Sequence, residues 1–148
     1  MKARSPLAQK GFTIIEVVLV LAIAGLIFLI VFLALPQAQK SRRDTQRRRD
    51  VGIVVGNLEH YLGSNGSYPS TQALTDSFKA GYLSSFNDPS TGSAYTITYQ
   101  TTAPASVGTM SFSRAATCGA SGALSATSST LQVAVSVKLE NGFFCQNN

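Results

Sequence analysis

The sequence lacks the residue patterns that enzymes use. Among 148 residues there is a single histidine, His60, and there is no glycine-rich phosphate-binding loop and no cluster of metal-ligating side chains. The segment GASGA at residues 119–123 misses the Gly-x-Ser-x-Gly pattern of serine hydrolases at its last position. We therefore expect no catalytic residue, no cofactor and no metal site, and a protein that is not an enzyme.

Charge is scarce from residue 11 to residue 39. Between Lys10 and Lys40, Glu16 is the only charged side chain. Residues 12–35 are apolar apart from Thr13 and Glu16, and as a helix they would span about 36 Å, enough to cross a hydrocarbon core of about 30 Å. A glutamate inside such a segment costs about 2.5–3.5 kcal/mol on insertion scales, so its presence requires an explanation.

The apolar run also lacks the marks of a cleaved secretory signal. It is longer than the 7–15 residues of a signal peptide, and neither an Ala-x-Ala site nor a lipoprotein cysteine follows it. On length alone, an uncleaved signal anchor remains an alternative. Bases flank the run on both sides, which leaves the orientation open: Lys2, Arg4 and Lys10 before it, and Lys40, Arg42, Arg43, Arg47, Arg48 and Arg49 after it.

The start of the run resembles a known signal. A basic leader ending in Lys10-Gly11, then FTIIE at residues 12–16 and about twenty apolar residues, is similar to the class III signal of type IV pilins and pseudopilins. The resemblance implies that prepilin peptidase removes residues 1–11 by cutting between Gly11 and Phe12. It also implies that the new amine of Phe12 is methylated and that Glu16 sets the register between assembling subunits.

Simple electrostatics explains such a role for Glu16. A positive amine at Phe12 is costly in an apolar setting unless it is paired. The Glu16 carboxylate of a neighbouring subunit would neutralise that amine, and opposite charges attract strongly in a medium of low dielectric constant. The alternative is that Glu16 only reaches out of the membrane to its interface.

The helix that begins in the apolar run should continue well beyond it. We expect a membrane and filament-core half at residues 12–35, followed at residues 36–62 by a basic neck and an amphipathic half. Pro36 cannot donate a helical hydrogen bond and crowds the carbonyl of Phe32, and Gly25 is a second weak point, so breaks are predicted at both. Apolar residues at helical spacing mark the amphipathic half: Val51, Val54, Val55, Leu58, Tyr61 and Leu62.

The bases at residues 40–50 point in nearly all directions around a helix, so this segment has no apolar face. We interpret it as a solvated neck, partly neutralised by neighbouring subunits or by anionic lipid headgroups. A DNA-binding patch is the alternative, but no aromatic residues alternate with the arginines.

A small head is predicted at residues 63–148, after the helix-ending segment GSNGSYPS at residues 63–70. A short helix is expected at 71–83 and strands near 95–99, 109–114, 130–139 and 143–145. The predicted fold class is α+β, a lollipop like that of type IV pilins, with one long N-terminal helix packed on a small antiparallel sheet.

The two cysteines suit an exported domain with one disulfide. Resemblance to the C-terminal loop of many type IV pilins implies a Cys118–Cys145 bridge, which would add about 3–4 kcal/mol in the loop-entropy model. Two free thiols are the alternative. Pseudopilins often bind calcium through acids in this loop, but Glu140 is the only acid after residue 88, so no calcium site is expected.

The leading hypothesis is a structural type IV pilin that polymerises into an extracellular filament for adhesion, motility or DNA uptake. The expected partners are other pilin subunits, prepilin peptidase, the inner-membrane assembly platform and membrane lipid before assembly; DNA has weaker support. The subunit would sit in the cell membrane, with its head outside, until it enters the filament. The alternatives are a pseudopilin of a type II secretion or competence machine and a membrane-anchored binding domain that never assembles.

Overall fold

A computed structural model describes residues 11–84 and 86–148. All of the predicted leader except Gly11 lies outside these residues. The chain forms two compact units, of which the first ends at Gln39 and the second comprises Lys40–Asn148.

The first helix, α1, extends over Ile14–Asn65, a length of 52 residues. It begins two residues later and ends three residues later than the sequence predicts. Gly25 and Pro36 both lie inside it, so neither residue ends the helix in this structure. A proline withdraws a single backbone N–H, and the flanking residues can keep their own i to i−4 hydrogen bonds. A break at either position in an assembled filament stays a prediction.

The described part of the first unit comprises residues 11–13 and the exposed N-terminal part of α1. Its apolar side chains face outward on all sides, from Phe12, which is 90% exposed, to Leu35, which is 54% exposed. By its length and composition, the part of α1 near the N-terminus is able to cross a membrane. A helix that is apolar all round requires an apolar surrounding, whether lipid or protein.

In the second unit, the remaining part of α1 packs against a sheet. Its buried residues recur every three or four positions, which keeps them on one face: Asp44, Arg47, Asp50, Val51, Val54, Val55 and Leu58. The second helix, α2, covers Gln72–Tyr82 and is capped by Thr71, whose side chain accepts a hydrogen bond from the Leu74 amide at 3.3 Å.

Four strands form the main sheet, in the order β1-β2-β5-β6. They are β1 at Thr96–Tyr99, β2 at Thr109–Arg114, β5 at Val133–Lys138 and β6 at Phe143–Asn147. The sheet is mostly antiparallel, as predicted, but β1 and β2 run parallel. Residues 100–108 must return the chain to the end of the sheet at which β1 starts before β2 begins, whereas an antiparallel pair could be joined by a tight turn.

A second, two-stranded sheet pairs β3 at Ala116–Cys118 with β4 at Leu124–Ala126, and a 3-10 turn at Ala120–Gly122 joins them. The sequence predicts only loops here. Its many Ser and Thr residues hide the alternation of apolar and polar side chains that would mark short strands.

The α1 face, α2 and the main sheet enclose one apolar core. Tyr95, Phe112 and Val135 are among its fully buried residues. A long helix packed on a small, mostly antiparallel sheet confirms the predicted α+β fold class.

Candidate functional site

The predicted cleavage point lies in an open stretch of backbone. Residues 11–13 precede the first turn of α1 and are exposed. No atom lies within 4 Å of the position that a Cβ on Gly11 would occupy, and the Phe12 ring is 90% exposed. Within the described residues, the Gly11–Phe12 bond therefore precedes the helix and is not covered.

Thr13 and Glu16 form a reciprocal cap at the start of α1. The Glu16 amide donates to Thr13 Oγ1 at 3.3 Å, and the Thr13 amide donates to Glu16 Oε2 at 2.9 Å. The Thr13 hydroxyl also donates to Glu16 Oε2, at 2.8 Å. This is the capping box of a Thr-x-x-Glu sequence, in which each side chain satisfies an amide that the first helical turn leaves free.

Sequence reasoning missed this cap, although the Thr13-Ile14-Ile15-Glu16 spacing contains its signal. Only one Glu16 oxygen is used: among the described residues, Oε1 accepts no hydrogen bond. A carboxylate held at the helix start by Oε2 can still offer Oε1 to a positive group outside the chain.

A second polar site is built around Arg47, whose side chain is fully buried. Its Nε and Nη2 donate to the two carboxylate oxygens of Asp88 at 2.7 and 3.2 Å. Nη2 also donates to Ser90 Oγ at 2.9 Å, and Nη1 donates to Asp44 at 3.0 Å and Glu140 at 3.5 Å. All five N–H groups of this guanidinium thus have acceptors, as a buried cation requires.

The same cluster holds the turn between β5 and β6. Asp44 Oδ1 accepts the Glu140 amide at 2.9 Å, and Arg43 donates to both oxygens of Glu140 at 2.6 and 3.1 Å. Because Arg47 binds the segment after α2 and Asp44 binds the β5–β6 turn, one helical turn fixes two distant loops to α1.

Two carboxylates of the cluster, those of Asp88 and Glu140, have lowered pKa values. Burial by itself raises the pKa of Asp88, but hydrogen bonds from Arg47 and Ser90 outweigh it and lower that pKa to about 2. The hydrogen bond from Arg43 lowers the pKa of Glu140. Both groups are therefore ionised at neutral pH.

Asp50 lies on the same helix face with a different partner. It accepts a hydrogen bond from the Tyr95 hydroxyl at 2.7 Å, and both side chains are buried. Burial raises the pKa of Asp50, and burial together with the hydrogen bond to Asp50 raises the pKa of Tyr95.

This arrangement corrects the interpretation of residues 40–50 as a solvated neck. Asp44, Arg47 and Asp50 are buried, and only the other side of the helix is solvated, with Lys40, Arg42, Arg48 and Arg49 exposed. The sequence could not show this, because the acceptors Asp88 and Glu140 lie 41 and 93 residues from Arg47.

Cys118 in β3 and Cys145 in β6 are joined by a disulfide, with their Cα atoms 5.7 Å apart. Their sequence separation is 27 residues. The bridge ties the small β3–β4 sheet to the edge of the main sheet. No group of three or more potential metal-ligating His, Cys, Asp or Glu residues occurs within residues 11–84 and 86–148.

Comparison with known proteins identifies one segment. No curated protein matches the chain, and no solved structure matches it. Residues 7–32 match the family model of the prokaryotic N-terminal methylation motif. The match contains Gly11, Phe12, Thr13 and Glu16, and it supports a type IV pilin or pseudopilin. The N-terminal segment of this chain thus carries the prokaryotic N-terminal methylation motif, the class III signal of those proteins.

Proposed function

We propose that this chain is a type IV pilin, a structural subunit that is cut between Gly11 and Phe12, methylated at Phe12 and polymerised into an extracellular filament. The observation that carries the proposal is the N-terminal methylation motif at residues 7–32, which extends into a helix whose large apolar side chains are exposed as far as Leu35. The motif points to a structural subunit rather than an enzyme.

Because its apolar side chains are exposed, the N-terminal part of α1 needs an apolar surrounding both before and after assembly. Leaving a Leu, Ile, Val or Phe side chain in water instead of burying it costs about 1.5–3 kcal/mol each. A bilayer covers the helix before assembly, and a bundle of such helices would cover it within a filament. Transfer between these two apolar surroundings changes hydrophobic burial little, because lipid tails are as apolar as leucine.

A polar contact must then favour the filament over the membrane. In a bilayer, the Glu16 carboxylate and the Phe12 amine of a lone subunit are charges in a costly setting. In a filament, the free Glu16 Oε1 of one subunit would accept a hydrogen bond from the Phe12 amine of the next, while Oε2 stays in the helix cap. This pair would also fix the axial position of neighbouring subunits.

Mass spectrometry of the mature chain, with electron microscopy of material sheared from the cell surface, tests the proposal. We expect a chain that starts at a methylated Phe12 and is found in filaments. A mature chain that still begins at Met1 would refute it. The proposed partners are prepilin peptidase, the inner-membrane assembly platform and further subunits.

A pseudopilin of a type II secretion or competence machine is a second candidate. The turn at residues 88–92, with Asp88 followed by Pro89 and Gly92, resembles the Asp-Pro turn of that class. Here the Gly92 amide donates to the Asp88 carbonyl at 2.9 Å. Deleting the gene discriminates between the two: a pseudopilin's loss would stop secretion or DNA uptake in cells that never display surface filaments.

A further inference from the structure

The second unit has a more basic surface than its sequence suggests. Of its six acids, four are buried or held in hydrogen-bonded contacts within the unit: Asp44, Asp50, Asp88 and Glu140. Only Glu59 and Asp76 are exposed. Of its nine bases, in contrast, only Arg43 and Arg47 form salt bridges within the described residues. Four of the six acids are thus held within the unit, whereas seven of the nine bases form no salt bridge within the described residues.

Two exposed bases lie at the start of the second unit. Lys40 and Arg42 are exposed, and neither forms a salt bridge within residues 11–84 and 86–148. Arg43, beside them, is tied to Glu140. The exposed Lys40 ammonium and Arg42 guanidinium donate hydrogen bonds of the kind that the oxygens of a phosphate group accept.

The order of residues along α1 determines which anionic partner fits. Lys40 and Arg42 follow Leu35, the last residue of the apolar run, by five and seven residues, and Arg49 follows it by fourteen. At 1.5 Å per helical residue, seven residues of helix amount to about 10 Å of chain and fourteen residues to about 21 Å. The first distance is close to one Debye length at physiological ionic strength and the second is more than two, so only Lys40 and Arg42 are near enough to feel a charged bilayer surface strongly.

We infer that Lys40 and Arg42 form a binding site for the headgroups of anionic phospholipids. The Arg42 guanidinium can donate two parallel hydrogen bonds to a phosphodiester, and the Lys40 ammonium supplies a second positive charge. The site holds the first exposed turns of the second unit at the membrane surface before assembly. It requires residues 12–35 to be inserted in a bilayer but does not require polymerisation, so it can be right even if the chain builds no filament.

Lipid selectivity of the full-length chain tests this inference. The chain is reconstituted in vesicles of phosphatidylcholine and phosphatidylglycerol at 0.15 M salt, and spin-labelled analogues report the association constant of each lipid. Each base near an anionic surface should contribute about fivefold. We expect a preference for phosphatidylglycerol that falls several-fold in Arg42→Gln and in Lys40→Gln, and further in the double variant.

Arg49→Gln is the matched control, since it removes the same exposed charge seven residues further along α1. It should leave the lipid preference unchanged. The leader bases Lys2, Arg4 and Lys10 are present in every variant and set a constant background. An intact disulfide and an unchanged circular dichroism spectrum would show that the variants are folded.

Three results would overturn the inference: no preference for the anionic lipid, a preference that is as strong in the double variant as in the unchanged chain, or an equal loss in Arg49→Gln. Duplex DNA added to the vesicles tests nucleic acid as the alternative anionic partner. Binding of DNA that falls equally in Arg42→Gln and Arg49→Gln, without a lipid preference, would assign this surface to nucleic acid instead.

Discussion

Arg47 and Asp88 form a buried two-point ion pair between α1 and the turn after α2, with N–O distances of 2.7 and 3.2 Å. Arg47 is fully buried and Asp88 is 1% exposed. The pair is the centre of a cluster that also holds the β5–β6 turn through Asp44 and Glu140. One side of this part of α1 therefore presents exposed bases to solvent. The opposite side forms the buried ion pairs that position the turn after α2 and the β5–β6 turn.

Removing Arg47 should destabilise the second unit strongly. Arg47→Met leaves Asp88 and Asp44 buried without their counter-charge, and breaking a buried pair in this way costs about 3–5 kcal/mol. Urea denaturation of the detergent-solubilised chain, followed by tyrosine circular dichroism, measures the change. Arg49→Met, two residues away and exposed, should change the free energy of unfolding by less than about 0.5 kcal/mol. Equal effects of the two substitutions would contradict the structural role of the cluster.

Acid should lower the free energy of unfolding of the second unit, because it protonates Asp88. Its pKa is about 2 in the folded chain against an ordinary value of 3.8, so its ionised form stabilises the fold above about pH 4. That contribution, about 2 kcal/mol, is lost as the pH falls from about 4 to 2. Glu140, whose pKa is also lowered, acts in the same direction. Asp50, whose pKa is raised, acts in the opposite direction.

The pH dependence is measured by urea denaturation at a series of pH values from 2 to 7. Asp88→Asn should be less stable than the unchanged chain at neutral pH, and its stability should fall less between pH 4 and 2. If the free energy of unfolding falls equally in both chains between pH 4 and 2, groups other than Asp88 cause the acid sensitivity.

Glu16 has two separable roles, and paired substitutions can divide them. Glu16→Gln keeps the hydrogen-bonding geometry of a capping box but removes the charge, whereas Glu16→Ala removes both. If the carboxylate pairs with the Phe12 amine of a neighbour, both variants should be cut at Gly11 normally and both should form few filaments. The yield of sheared filaments and the mass of the processed chain provide the two measurements.

Thr13→Ala completes the comparison, since it removes the cap and leaves the charge. Loss of an N-cap costs about 0.5–2 kcal/mol, so we expect a milder loss of filaments than with Glu16→Gln. Filaments at the normal level in Glu16→Gln would show that capping, and not charge, is the function of this residue.

The disulfide should contribute much of the stability of the head. The double variant Cys118→Ser with Cys145→Ser should lose about 3–4 kcal/mol, because the unfolded chain is no longer cross-linked. Thiol labelling of the denatured oxidised protein should find no free thiol, and reduction should release two. Reducing agent should lower the stability of the unchanged chain and leave that of the double variant alone; the same response in both would argue against the bridge.

The sequence was most informative where the signal is local. The α1 boundaries fall within three residues of those predicted, and β2 falls at the predicted residues 109–114. The disulfide matches the pair implied by the family resemblance. Helical spacing at Val51, Val54, Val55 and Leu58 also predicted the buried face correctly.

Prediction from the sequence failed where the interacting residues are far apart in the chain or where the strands are short. The parallel pairing of β1 with β2 depends on the path of residues 100–108, and the β3–β4 hairpin contains too few residues to show a pattern. The Thr13–Glu16 cap is a different kind of failure, because its signal is local and was available in four adjacent residues.

The sequence by itself determined that this chain has a long apolar helix with a lone acid near its start, because hydrophobicity and spacing along one chain suffice for that. Only the tertiary structure decided which charges of the basic segment face water. Arg42 and Arg47 are the same residue type five positions apart, and one is exposed while the other is fully buried. Nothing local separates them, since burial of Arg47 becomes favourable only when folding brings Asp88 and Glu140 to its guanidinium.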